Sequence, residues 1–371
     1  MIKIKEQKSN QENIVPAKYE NTPKSLGFYM PAEWEKQEAV WLTWPKSVLT
    51  WPGRILLVQG IYIQMIEVIT SYQKVNLLVD DEKAESIVRD QLAKAKISVD
   101  NVKFWHIPTV DAWIRDYGPT FVIGDRKNGS DKIGMIDWTF NAWGNKYEEL
   151  IQDTAVPKKI NEKLKISYFN PSLVLEGGSI EVDGEGTVLI TEQCLLNKNR
   201  NPNLNRKAIE DVLIKYLNVE KVLWLGSGIE GDDTDGHIDD IARFVSPGVV
   251  VVCSEDDETD INHAPLKENF LSLSSMKDAK NRSLSVVKLP LPEKVIGSNN
   301  KQLPASYANF LITNKAVLVP IFGKKNDDRA LSILKEVFPS RDIIGFKCDS
   351  IIWGMGAIHC LSQQQPSILK F

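Results

Sequence analysis

The sequence predicts an α/β protein made of five repeated mixed units closed into a ring. Three observations point there: a recurring order of helix, strand and polar cluster; a near-equal spacing of the clusters; and a hairpin-like pair of strands after four of the five clusters. The competing reading is an ordinary α/β protein with polar loops, since loops are usually polar.

Helical spacing of apolar residues marks three units clearly: Ala84, Ile87, Val88 and Leu92; Ile209, Val212, Leu213 and Tyr216; and Leu331, Ile333, Leu334 and Phe338, which stops at Pro339. Each precedes a β-rich run, "NVKFWHI", "KVLWL" or "DIIGFKC", and then a polar cluster, "DAWIRDYGP", "GDDTDGHIDD" or "GMGAIHC". Two weaker copies fill the gaps: "KKINEKLK", "ISYFN" and "LEGGS"; and "APLKENFLSL", "SVVKLPL" and "PASYAN". Stretches such as "SIEV-DGEG-TVLIT" and "IARFVS-PG-VVVVC" place turn residues where a hairpin needs them. The last cluster ends the chain, so its partner strand must come from elsewhere, and "EAVWLTWP", residues 38 to 46, is the segment available.

Asp116, Glu176, His237, Ser306 and Cys360 mark the five clusters at steps of 60, 61, 69 and 54 residues. In a closed ring those clusters converge on the centre. There Asp116, Glu176, His237, Asp239 and Cys360 would form a set of three carboxylates, one imidazole and one thiol. Carboxylates raise a thiol's pKa and oppose simple acyl transfer. The mixture becomes sensible when the substrate is a cation. A guanidinium is planar, permanently charged and matched to carboxylates two atoms at a time.

Composition agrees with a small cationic ligand. The chain has 371 residues, 43% hydrophobic and 25% charged, with 45 basic against 49 acidic side chains for a net charge of −4. No long basic run favours nucleic acid, and no run nears the ~18 apolar residues of a membrane span. Homo-oligomer formation is left open. Cys194, Cys253, Cys348 and Cys360 are scattered without a C-x-x-C pair, which argues against a zinc site and a disulfide framework and suits a reducing, cytoplasmic compartment. Residues 1–25 read as a flexible leader without a signal sequence, and 26–371 as one catalytic domain.

The stretches "MPAEWEKQEAVWLTWP", "DAWIRDYGPTFVI", "LEGGSIEVDGEGTVLITEQCLLNKNRNP", "DDTDGHIDDIARFV", "LPASYANFLITN" and "IHCLSQQQP" span residues 30 to 366. Together they resemble the guanidine-modifying (pentein) superfamily, and within it the agmatine deiminase family. The resemblance implies a five-bladed, pseudo-symmetric α/β propeller of ββαβ-type modules around a central active site. It implies hydrolysis of agmatine to N-carbamoylputrescine and ammonia through a covalent cysteine adduct, with no metal or organic cofactor. It makes Cys360 the nucleophile, His237 the acid/base, Asp239 and Asp116 the guanidinium clamps and Glu176 the partner of His237. Trp113 would wall the pocket, and Asp233 would add an acidic contact. The approach to the cysteine, usually "GGGxIHC", reads "GMGAIHC", with Met355 and Ala357 departing.

Duller readings attach to other residues. Cys194, Cys253 and Cys348 sit in or beside apolar runs and read as small core residues. His106 and His263 lack clustered partners. His359 adjoins Cys360 on what reads as a strand, where neighbours face opposite ways, so it is expected to point away from the thiol. Ser306 and Asn309 fit either structural hydrogen bonding or substrate contact. "GDDTDGHIDD" imitates part of a calcium loop, but Gly231 and Ala242 occupy its two end positions. Arg115 and Arg243 keep free arginine open as a substrate, since its α-carboxylate needs a cation. Peptidylarginine is the nearer rival, and a non-enzymatic binding protein of the same fold is the rival of another class.

Overall fold

The computed structural model describes residues 21–124 and 132–368. Residues 1–20 of the expected leader lie outside the described residues. At its end, Thr22 is buried and exchanges hydrogen bonds with Ser25 ahead of a 3-10 turn, Lys24–Leu26.

The described strands form five separate sheets, and none of these closes on itself. One pattern of pairing recurs in all five: an antiparallel pair, then a helix, then a strand parallel to the second member of the pair. Thr187–Thr191 pairs antiparallel with Glu181–Val182, and the helix Arg206–Leu217 leads to parallel Lys221–Leu225. Ala242–Ser246 and Val249–Ser254 are followed by the helix His263–Ser275 and strand Ser285–Pro290. Leu311–Ile312 and Ala316–Ile321 are followed by Asp327–Val337 and Asp342–Lys347. Thr120–Gly124 and Ile133–Ile136 are followed by Val156–Leu164 and Ser167–Phe169. The helix is the crossover that a parallel strand requires.

The remaining sheet is assembled from both ends of the chain. Ser362–Pro366 runs antiparallel to Gln37–Thr43, with Ser362 opposite Leu42 and Gln365 opposite Ala39, as expected for "EAVWLTWP". It continues through the helix Ile55–Thr70 to Lys74–Val79, and through the helix Glu82–Lys94 to Val102–His106. The 55–70 helix and the 74–79 strand were not anticipated. The helix buries Val58, Tyr62, Met65, Ile66 and Ile69, a helical face. Its Ile, Val and Tyr content and Gly60 give it a strand-like composition, which packing overrides.

The apolar sides of sheets and helices meet in a core that fully buries Trp41, Trp51, Tyr62, Phe244 and Phe310. No helix among the described residues is long and apolar enough to cross a membrane.

Candidate active site

Each polar cluster folds into a short turn directly before a strand. Ile114–Tyr117 precedes Thr120, Gly177–Ser179 precedes Glu181, and Ile238–Asp240 precedes Ala242. Turns at 307–308 and 358–361 precede Leu311 and Ser362. Such turns leave side chains unpaired by any ladder and free to converge.

They do converge. Asp116 Oδ1 lies 3.7 Å from His237 Nδ1, and Glu176 Oε2 lies 3.8 Å from His237 Nε2. Asp239 Oδ2 lies 3.9 Å from Cys360 Sγ, and the Cys360 carbonyl accepts from the Arg115 backbone N–H at 3.2 Å. Gly178 is the hub of this group. A Cβ there would stand 2.6 Å from His237 Nδ1, 2.9 Å from Asp116 Oδ1 and 3.1 Å from Asp239 Oδ2, so only glycine lets these three meet. On the thiol side, a Cβ at Gly356 would come within 2.7 Å of the Trp113 ring. Met355 takes up the left-handed conformation, φ 72, that the usual glycine would adopt freely.

Several polar atoms here are buried without a hydrogen-bond partner among the described residues: both ring nitrogens of His237, Glu176 Oε2 and Asp239 Oδ1. Buried orphans are costly, and their concentration around one point marks a place built to receive a polar ligand. The other carboxylate oxygens are held. Asp116 accepts from Gly178 N (3.0 Å) and Trp143 Nε1 (2.9 Å), and Glu176 Oε1 accepts from Arg200 Nε at 2.6 Å.

Electrostatics differentiates these groups. Burial pushes Asp116 up to about 6, with the charge of His237 opposing and those of Asp239 and Glu176 reinforcing. Burial also works against the Asp239 and Glu176 carboxylates. His359 reverses it for Asp239, and His237 with Arg200 for Glu176, so both lie below the ordinary carboxylate range. His237 is lifted well above its usual value, because Asp116, Cys194 and Glu176 outweigh its burial. Burial, then Asp239, Asp240 and Asp116, hold the Cys360 thiol far above the ordinary thiol value. The site thus sets an imidazole favoured in its charged form beside two carboxylates, Asp239 and Glu176, favoured in theirs, and a thiol disfavoured as the thiolate.

A cavity of about 290 Å³ opens onto this group. Asp116 and Cys360 contribute to its lining, Trp113, Trp143, Tyr147 and Trp353 supply aromatic walls, and Asp111, Glu149 and Asp233 add carboxylates. Among the described residues, no Lys or Arg lines it. Tyr147 donates to Asp233, fixing that acid at the wall.

Two sets of donor atoms lie within 4.8 Å of one another and have the residue types of metal ligands: Glu176, Cys194 and His237; and Asp239, Asp240 and Cys360. In the first, the Arg200 guanidinium already holds Glu176 and the imidazole is protonated, which disfavours a cation. In the second, Asn309 Nδ2 donates to both Asp240 Oδ1 (2.9 Å) and Cys360 Sγ (3.1 Å).

Two expectations are corrected, and two residues left open are placed. His359 does not point away from the site. Its segment is a turn, so strand alternation does not apply, and its Nδ1 lies 2.7 Å from the same Asp239 oxygen that faces Cys360. Arg115 and Arg243 do not reach the cavity. Both are buried, Arg115 bonding to the His359 carbonyl and Gln364, and Arg243 to Glu33, Glu181 and the carbonyls of Ala308 and Phe310. Asn309, like Glu176, His237 and Asp239, lies behind the cavity lining, and it acts on the Cys360 turn, its Oδ1 accepting from the backbone of His359 and Cys360. Ser306, the other residue left open, donates to the Asp240 carbonyl and contacts Cys253. Trp143, Arg200 and Glu33 were missed as contributors. Arg200 and Glu33 lie inside the motif stretches quoted above, but nothing in their local sequence reports the long-range partners that give them a role.

Comparison with known proteins agrees with this geometry. A family model for Porphyromonas-type peptidyl-arginine deiminase matches residues 29–366. The agmatine deiminase of Medicago truncatula is 40% identical, the match covering 94% of this chain and 99% of the relative. A solved structure of the Enterococcus faecalis agmatine deiminase superposes with a TM-score of 0.86 at 39% identity, over 94% of this chain and 98% of that one. A substrate-bound cysteine-to-serine variant of the C. jejuni agmatine deiminase superposes with a TM-score of 0.81 at 31% identity, over 91% and 96%. By its sequence over nearly all its length, and by the thiol, imidazole and carboxylates its turns bring together, the chain belongs to the Porphyromonas-type peptidyl-arginine deiminase family.

Proposed function

We propose that this protein is an agmatine deiminase, hydrolysing agmatine to N-carbamoylputrescine and ammonia through a covalent amidino-cysteine intermediate. The observation that carries the reading is a cavity lined by four carboxylates and no basic side chain, with a thiol among its lining. A flat cation with an aliphatic stem and a second positive charge fits such a surface. A free α-carboxylate does not, since Arg115 and Arg243 are committed to buried partners, and Lys146, beside Tyr147 at the cavity wall, is engaged by the Asp233 carbonyl and by Asp235 at 2.8 Å.

In this reading Asp116 and Asp239 grip the guanidinium, and Trp113 and Trp143 flank the stem. The incoming charge offsets the carboxylates that keep the Cys360 thiol protonated, and the thiol proton leaves to solvent. The thiolate then attacks the central guanidinium carbon. The His237 imidazolium gives its proton to one terminal nitrogen, which departs as ammonia and leaves a cysteine-bound amidine still carrying the chain. Neutral His237, oriented by Glu176, next takes a proton from water. The hydroxide adds to the amidine carbon, the C–S bond breaks, and the hydroxyl proton passes to the departing Cys360 sulfur, which gives the urea product and restores the thiol and the His237 imidazolium. The chemistry is redox-neutral, and the one proton released to solvent at the start converts the ammonia to ammonium.

The recurrence of one ββαβ pairing pattern in five sheets, each preceded by a polar turn, supports a five-bladed propeller with this site at its centre, formed by the single domain 26–371. Free cysteines at 194, 253, 348 and 360 suit a reducing, cytoplasmic setting.

Ammonia release from agmatine, arginine and a peptide arginine, measured side by side, tests the substrate assignment. Agmatine is expected to be preferred, and a preference for either of the others overturns the assignment.

A further inference from the structure

His359 stands out in the site as a buried group to which the mechanism above gives no part. Its two ring nitrogens face two carboxylates, Asp239 Oδ2 at 2.7 Å and Glu33 Oε2 at 2.8 Å. An imidazole can donate from both nitrogens only as the imidazolium. Glu33 is itself fixed: Oε2 also accepts from Arg243 Nη2 at 2.8 Å, and Oε1 accepts from the Ile312 backbone N–H at 2.7 Å. Arg243 is tied in turn to Glu181 Oε2 at 2.8 Å, and Arg115 Nη2 lies 4.0 Å from Glu33. Asp239, Glu33 and Glu181 thus face Arg115, Arg243 and His359, three carboxylates against two guanidiniums and one imidazole. Every one of these six side chains is buried.

The consequence falls on Asp239. Its Oδ2 is held by His359 while Oδ1 has no partner, so the carboxylate is presented with one oxygen locked and the other free. Without that lock, the hydrogen-bond partner left to Oδ2 among the described residues is the Cys360 sulfur, at 3.9 Å.

Resting on the reading of Asp239 as a guanidinium clamp, we infer that His359 is a positioning residue for substrate binding: anchored to Glu33, it fixes Asp239 so that one carboxylate oxygen faces the guanidinium. Burial opposes ionisation of Asp239 and Glu33, and the hydrogen bond and charge of His359 help hold both below the ordinary carboxylate range, together with Arg243. Glu33 belongs to "MPAEWEKQ", so the inference also gives that N-terminal stretch a role in the site.

The test is a double-mutant cycle in the Cys360→Ala background, where substrate binds without turnover. Agmatine affinity is measured by calorimetry for four proteins: Cys360→Ala alone, with His359→Gln, with Asp239→Asn, and with both. His359→Gln is expected to weaken binding about tenfold or more, the scale of one charge-assisted hydrogen bond. It should then have little further effect once Asp239 is Asn, because its action runs through that carboxylate. In the protein with Cys360 intact, His359→Gln is expected to raise KM more than it lowers kcat. Equal losses in both Asp239 backgrounds, or a fall in kcat with KM unchanged, overturn the inference while leaving the substrate assignment standing. Failure of Cys360→Ala itself to bind agmatine overturns the substrate assignment, and the inference with it. Should His359→Gln not fold, Glu33→Gln takes its place in the same cycle. Coupling to Asp239 then supports the inference and additivity overturns it.

Discussion

Cys360 Sγ stands 3.9 Å from Oδ2 of Asp239, so the proposed nucleophile and one arm of the proposed guanidinium clamp are immediate neighbours. Burial, then the charges of Asp239, Asp240 and Asp116, push the thiol well above its ordinary value, and a cation bound between them is expected to oppose this. A neutral alkylating agent such as iodoacetamide is therefore expected to label Cys360 slowly at neutral pH. A cationic chloroacetamidine should label it faster by about tenfold or more, the usual range of electrostatic attraction into a charged cleft. Asp239→Asn should narrow the gap. Labelling rates resolved by peptide mass spectrometry check this, and equal rates for the two reagents contradict it.

Acid should inactivate through Asp116. Its carboxyl is pushed up to about 6, so it carries its charge above that pH and loses it below. Guanidinium binding needs the charged form, so kcat/KM is expected to fall as pH drops through about 6. Trp143 Nε1 donates to this carboxylate and favours its ionised state. Trp143→Phe should move the acid limb upward by about one pH unit, the worth of a hydrogen bond to a charged group. A profile unmoved by this substitution argues against Asp116 as the titrating group.

Gly178 leaves no room for a side chain between His237, Asp116 and Asp239. Gly178→Ala is expected to cost about 100-fold or more in kcat/KM, since displacements near 1 Å at reacting groups carry penalties of that order. The thermal transition should change far less. Activity within a few-fold of the parent would contradict the convergence of these three side chains.

Arg243 supports the fold. It is fully buried, bonded to Glu33 and Glu181, and its guanidinium stacks 4.6 Å from the Phe310 ring. Arg243→Met removes the charge and leaves two carboxylates buried. The expected loss is about 3–5 kcal/mol of stability, measured by urea denaturation. An unchanged midpoint would show that Glu33 and Glu181 find other partners.

Much of the fold was legible because its elements are local. Ala84, Ile87, Val88 and Leu92 and the runs "KVLWL" and "SVVKLPL" carry their own periodicity and lie in the expected helix and strands, although Ile87 of that expected face is exposed. The pairing of residues 362–366 with 37–43 was legible by elimination, as the last unit lacked a partner. The helix at 55–70 was not, because its strand-like composition masks a face that only packing selects. In the candidate site, Asp116, Glu176, His237 and Cys360 were legible as reactive types in clusters recurring at near-even steps, and Asp239 as the acid two residues beyond His237. His359 was misread because it was placed on a strand, and its segment is a turn. Glu33 and Arg200 act through partners 326 and 24 residues away, and no local spacing encodes such pairings.

The central claim is that Cys360 attacks the carbon of a guanidinium. Intact-protein mass spectrometry of samples acid-quenched within the first turnovers with agmatine tests it most directly. The expected result is a transient adduct of agmatine less one ammonia, mapped to the peptide bearing Cys360 and absent in Cys360→Ala. Ammonia release by Cys360→Ala at the parent rate, or an adduct on a different residue, would contradict it.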